Sequence, residues 1–268
     1  MCRGRAVRLS APLVMGIVNV TPDSFFAGSR VAGAAEAAAR GADFQRLGAA
    51  IVDVGGESTR PGAVAVDAAT EAARVAPAIR ALRAACPDLL ISVDTRHTAV
   101  ARAALEAGAD IVNDVSGLAP DAGMAALLAE TGAGYILMHG RGWTPKGETE
   151  ARADVATAVE TELNEALARL VAAGVDARQV AFDPGLGFEK AHADSWRLLG
   201  ATARFAAAER PWVVAASRKR FLDNGMGESV GAAVWAAAQG ADVLRVHDVA
   251  ETAGAIRAFL RAREAADV

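Results

Sequence analysis

The sequence predicts a single (β/α)8 TIM barrel, an α/β fold whose active site lies at the C-terminal ends of the strands. Three observations lead there. Short apolar runs rich in Val, Ile and Leu recur eight times, each is followed by an alanine-rich stretch of helical length, and 268 residues is an ordinary length for such a barrel. A doubly wound open sheet of eight strands is the structural rival. No short repeat, low-complexity linker or charge block marks a boundary, so one domain is expected over residues 1–268.

Taken in order, the predicted strands are Leu13–Val18, Ala49–Val52, Leu89–Val93, Asp110–Val112, Tyr135–Met138, Gln179–Phe182, Trp212–Ala216 and Val243–Val246. Each is bounded by turn-forming residues, as buried parallel strands are. The intervening helices are expected near 31–47, 67–85, 97–107, 121–131, 149–173, 192–209, 228–239 and 248–265. Several of them enter through Asp, Thr or Ser or end in Gly, which is how helix termini satisfy their free backbone groups.

Bulk properties exclude several classes. A domain of this size buries roughly 75% of its unfolded surface and needs no disulfide or metal to fold. Cys2 and Cys86 lie far apart and form no metal-binding pair, so a reducing, cytoplasmic setting is expected. The net charge of -4 gives no support for a nucleic-acid partner. The apolar run Val230–Ala238 is too short to span a bilayer. The basic start, MCRGRAVRLS, leads into an apolar run with no cleavage pattern, and that run reads as a strand rather than a signal peptide.

The residues that close the strands carry the chemistry. They are Asn19, Asp53, Asp94, Asn113, His139, Asp183, Ser217 with Lys219, and Arg245 with His247. In a parallel barrel all eight such positions face one mouth. Asn and Asp also follow strands for plain capping reasons, and Asp53, beneath Gly55 and Gly56, reads first as support for its loop. The set as a whole exceeds what capping requires. Lys219 stands out because the chain has three lysines against many arginines, and this one follows a buried strand.

Such a mouth offers two kinds of recognition. Arg60, Arg245, His247 and Asn19 suit phosphate oxygens, with a magnesium ion bridging through Asn19. Asp94, Asn113 and Asp183 supply acceptors, and Lys219 a donor, for a flat polar ring. A carboxylate facing an amino-substituted N–C–N edge accepts two parallel hydrogen bonds. Sites built that way discriminate by ~10⁴-fold or more, because an analogue lacking the donors leaves the acid unpaired.

Eight blocks make the pattern recognisable: NVTPDSF (19–25), DVGGESTRPG (53–62), SVDT (92–95), NDVSGL (113–118), LMH (137–139), DPGLGF (183–188), SRKRF (217–221) and RVHD (245–248). In this order they resemble the dihydropteroate synthase family, pterin-binding barrels of folate biosynthesis. The resemblance implies condensation of 6-hydroxymethyl-7,8-dihydropterin diphosphate with 4-aminobenzoate, with diphosphate leaving. It implies a pterin site at Asp94, Asn113, Met138, Asp183, Lys219 and Arg245. A diphosphate site is implied at Asn19, Arg60, Arg245 and His247, with Asn19 on Mg2+, and a 4-aminobenzoate site at Thr59, Pro61, Phe188 and Lys219. Lys219, Asp94, Asp183 and Arg60 are the expected catalytic set, in a cytoplasmic homodimer of the kind that sulfonamides target.

The likeness departs at Phe26 and Ala27, where the family usually has serine and aspartate. That aspartate belongs to a loop that closes over the site, and Ala27 cannot accept a hydrogen bond. The seventh loop is also short. Two rival functions therefore stand beside the synthase. One is a pterin-binding paralogue with altered or no activity. The other is a barrel that moves a methyl group from a folate to a corrinoid protein, which needs neither Arg60 nor the RVHD contacts.

Overall fold

Strand pairing in the computed structural model, which describes residues 1–20, 32–57, 66–116, 121–140, 154–207 and 210–266, is parallel throughout. The strands are β1 (Leu13–Asn19), β2 (Ile51–Gly55), β3 (Leu90–Asp94), β4 (Ile111–Asp114), β5 (Gly134–Met138), β6 (Val180–Asp183), β7 (Val213–Val214) and β8 (Val243–Val246). Their order is β6-β5-β4-β3-β2-β1-β8-β7. A parallel bridge between Phe182 and Trp212 joins the two ends, so the sheet closes on itself and the open-sheet rival falls away.

Around it lie α1 (Ala32–Leu47), α2 (Ala68–Ala85), α3 (Thr98–Ala107), α4 (Met124–Thr131), α5 (Val155–Ala172), α6 (His192–Gly200), α7 (Thr202–Ala206), α8 (Met226–Ala238) and α9 (Val249–Ala266). Asp67 caps α2 by accepting from the Thr70 backbone N–H, and Asp154 does the same for α5 through Thr157. Among the described residues, no helix is long and apolar enough to cross a membrane.

Several expected boundaries move. The helix read over 192–209 is two helices. The ladder breaks at Gly200–Ala201, and the Thr202 hydroxyl takes the Leu199 carbonyl at 2.7 Å. The run expected over Trp212–Ala216 keeps only Val213–Val214 as a strand; Trp212 makes the single bridge to Phe182 and stacks on Phe205, with ring centroids 4.2 Å apart. The fourth helix starts at Met124 rather than 121, since Asp121 is used to accept the Thr98 N–H at the start of α3. The start of the helix expected from 149 lies outside the described residues.

Alternation along the strands positions the site. Met15, Ile51, Ile111, Ile136, Val213 and Val243 point inward and, with Cys2, pack the barrel floor. Val52, Val54, Ile91, Val93, Val112, Leu137, Phe182 and Leu244 point outward, under the helices. Successive strand residues face opposite sides. Two residues beyond the floor layer, the inward positions are therefore Asp53 in β2, Asn113 in β4, Met138 in β5 and Arg245 in β8. Asn19, Asp94 and Asp183 end their strands on the same inward parity. A dry floor thus carries a polar storey at the C-terminal end. Cys2 and Cys86 are both free and buried.

Candidate active site at the C-terminal rim

One cation holds the centre of that storey. Arg245 donates from Nε to Asp53 Oδ2 at 2.7 Å and from NH2 to Asp94 Oδ2 at 2.6 Å. Asn113 Nδ2 donates to the same Asp53 oxygen at 3.0 Å. Asp53 is wholly buried, within β2 rather than in the loop after it. It is therefore not a loop support, as its place beneath two glycines had implied, but the partner of two rim residues. Its carboxylate only accepts, so the Asn113 amide nitrogen turns toward it and the amide oxygen turns away, free for a donor on a ligand.

Burial pushes the Asp94 carboxyl up to about 7 against the pull of Arg245, with Asp53, Glu71 and Asp114 adding to the rise. For Arg245, burial opposes the charge, but Asp53 and Asp94 outweigh it and the guanidinium is held still more firmly charged. Such a buried cluster contributes little net stability, because desolvation offsets attraction. Its effect is to fix three side chains in one arrangement.

A second group forms where β6 ends. Asp183 Oδ1 accepts the Gly185 N–H at 2.7 Å. Burial raises the Asp183 pKa, while Lys219 pulls it back. Lys219 Nζ donates to the Leu186 carbonyl and lies 4.5 Å from the centre of the Phe188 ring. Burial lowers its pKa to about 8; Arg245 adds to the fall, and Asp183 and Asp94 oppose it. Met138 pairs with Asp183 across the β5–β6 ladder and is buried.

Lys190 was not singled out in the sequence, yet it belongs here. Its Nζ donates to the His139 carbonyl at 3.0 Å and to the Phe188 carbonyl at 3.2 Å. It thus ties the end of β5 to the loop after β6. Burial, and then repulsion from Lys219, lowers its pKa to about 7. The lysine scarcity that marked Lys219 applied equally to this residue.

Other expected positions fall as follows. His139, read as a mouth residue, faces out. It follows the inward Met138, so its parity is wrong, and its Nε2 lies 3.6 Å from Glu162 of α5. His247 Nδ1 is 3.1 Å from the Ser217 hydroxyl, which joins the seventh and eighth loops. Asn19 ends β1 opposite Gly55. A side chain at Gly55 would sit 3.2 Å from Asn19 Oδ1 and 3.7 Å from Asp94 Cβ, so the glycine keeps space open between them. Thr59, Arg60, Pro61 and Ala27 lie outside the described residues.

Gly185 is a tight point of the rim, closed against backbone. Its φ is +66°, and a Cβ there would lie 1.9 Å from the His139 carbonyl oxygen. Gly185→Ala should cost at least about 1–3 kcal/mol from backbone strain alone and displace the Asp183 hydrogen bond. A lower urea midpoint is the expected result, and an unchanged one would show that the loop relaxes freely.

The chain matches the family described as pterin binding enzyme over residues 15–247. It is 41% identical over 260 residues to the dihydropteroate synthase of Mycobacterium leprae, covering 91% of each chain. Its identity to that of Escherichia coli K12 is 40% over 275 residues, covering 98% of this chain and 96% of the relative. The Xanthomonas albilineans dihydropteroate synthase solved with 4-aminobenzoic acid superposes with a TM-score of 0.88 at 38% identity, covering 98% of this chain and 97% of that one. With a matching barrel, the polar residues brought to one rim and a family match from β1 to the end of β8, this chain belongs to the pterin-binding enzyme family.

Proposed function

We propose that the chain condenses 6-hydroxymethyl-7,8-dihydropterin diphosphate with 4-aminobenzoate, giving 7,8-dihydropteroate and diphosphate. The observation that carries this reading is the convergence of Asp94, Asn113, Asp183, Lys219 and Arg245, from five separate stretches of chain, on one rim.

Asp183 and the Asn113 oxygen accept from the amino-substituted edge of the pterin. Asp94 adds Oδ1, since Oδ2 is held by Arg245. Met138 and the Arg245 plane enclose the ring, and Lys219 donates to it. The aminobenzoate nitrogen attacks the pterin methylene carbon, the carbon–oxygen bond to diphosphate breaks, and the anilinium proton passes to water. The amine is already neutral at pH 7 and needs orientation rather than a base. Positive charge that develops on the methylene carbon spreads into the ring, where Asp94 and Asp183 stabilise it.

His247, Arg245 and, on the family resemblance, Arg60 hold the diphosphate. Asn19 Oδ1, beside the space left by Gly55, would hold a magnesium ion against the phosphates, and the ion would neutralise leaving-group charge. Phe188, under Lys219, faces the aminobenzoate, and the family resemblance adds Thr59 and Pro61.

Two chains pair in this proposal through the face of α6 and α8. Trp196, Met226 and Trp235 are each about half exposed there, and the Trp235 indole donates to the Leu199 carbonyl at the end of α6. An apolar face of this kind is what a homodimer covers. The free, buried cysteines suit the cytoplasm.

Ala27 favours a second reading, a protein that binds the pterin without turnover. Mixing the pterin diphosphate, 4-aminobenzoate and magnesium with the protein separates the two. Diphosphate release that depends on aminobenzoate is expected. Pterin binding without release would establish the second reading, and binding of methyl-folate alone would point to methyl transfer. The pH profile gives a further check. Because burial lowers the Lys219 pKa to about 8, the ammonium is present below that pH and lost above it. The value of kcat/KM should fall along an alkaline limb near pH 8, and Lys219→Arg, which stays charged, should remove that limb. A limb near the free lysine value of about 10.4 would contradict the assignment.

A further inference from the structure

We propose that Glu57, Glu71 and His97 form a divalent-cation site of the zinc type behind the second loop, between α2 and α3. Glu57 lies two residues past β2, Glu71 in the first turn of α2, and His97 at the entrance of α3. One ligand atom from each, two carboxylate oxygens and an imidazole nitrogen, lies within 4.8 Å of the others.

Two independent features point to a ligand. Glu71 is fully buried, and among the described residues neither carboxylate oxygen accepts a well-formed hydrogen bond; His97 Nε2 is likewise buried without one. A weak hydrogen bond from the Thr95 hydroxyl and the charge of His97 act to lower the Glu71 pKa, but burial prevails and raises it. A carboxylate buried without a partner is costly, and a cation bound between these atoms removes that cost. The second feature is local. His97 occupies the N-cap of α3, where Ser, Thr, Asp or Asn normally bonds a free N–H, yet it makes no capping bond. Asp121 takes the Thr98 N–H instead, which leaves the imidazole available to the cluster.

Charge and stoichiometry agree. Glu57 is paired with Arg96 at 3.2 Å, so Glu57, Glu71 and Arg96 sum to one negative charge. Glu57 Oε1 already accepts from Val66 N–H and Arg96, whereas among the described residues Oε2 accepts from Arg96 alone, at 3.3 Å. Oε2 therefore keeps a lone pair for a metal. Gly56 permits the close approach, since a Cβ there would lie 2.9 Å from Glu71 Cγ. An imidazole with two carboxylates suits zinc better than magnesium or calcium, and three protein ligands leave a fourth position for water.

The test is calorimetric titration of the chelator-treated full chain with zinc chloride. One ion per chain is expected, with at least about tenfold weaker binding in Glu71→Gln and in His97→Gln. Cys86→Ser should bind as the parent does. No binding by the parent, or parent-like affinity in both ligand variants, overturns the site. Should Glu71→Gln fail to fold, the Co2+ absorption band of the parent and of His97→Gln decides. Loss of the band in the variant supports the site, and its persistence overturns it.

Discussion

Arg245 binds two buried carboxylates at once, and the rest of the site is arranged around that fact. Asp53 and Asp94 come from neighbouring strands, and two carboxyl groups buried so close together would be costly without a cation. With the guanidinium between them, both keep defined directions. Asn113 inherits its amide orientation from Asp53. Thus one ion cluster sets an acceptor, a carboxylate and a planar cation around the space proposed for a flat heterocycle. The cluster's worth lies in orientation, because desolvation cancels most of its Coulomb energy.

The storey beneath makes this arrangement possible. Apolar residues pack the barrel floor, so the polar layer finds few partners below it and is satisfied laterally or through a ligand. This explains why ionisation constants move so far at the rim. Asp94 and Asp183 are pushed up by burial, while Lys190 and Lys219 are pushed down. Each shift marks a group whose charge is completed by a substrate or by a neighbour, which is the physical signature of a working site.

Much of this was legible in the sequence because barrel geometry is simple. Residues that close parallel strands face one mouth, so Asn19, Asp94, Asn113, Asp183 and Arg245 are placed on one rim by the strand ends; strand alternation then decides which of them point inward. The same rule explains the failures. His139 is one residue past an inward Met138, and that single step turns it toward Glu162. Asp53 reads as a loop residue because two glycines follow it at the turn, whereas the strand continues through it to Gly55. Lys190 follows a loop motif rather than a strand, so only its rarity marks it in the sequence. The break at Gly200–Ala201 depends on a side-chain hydroxyl competing for a carbonyl, which hydrophobic periodicity does not register.

The account depends most on Asp53, which touches no substrate in it and yet orients two residues that do. The direct measurement is calorimetric titration of Asp53→Asn with the dihydropterin, set against the parent. The substitution keeps size and shape and removes the charge that holds Arg245 and fixes Asn113. Loss of a charged, buried hydrogen bond worth about 1.5–3 kcal/mol predicts affinity weaker by roughly tenfold to a hundredfold in a chain that still folds. Parent-like affinity in a folded Asp53→Asn protein would contradict the claim that the Arg245 cluster organises the site.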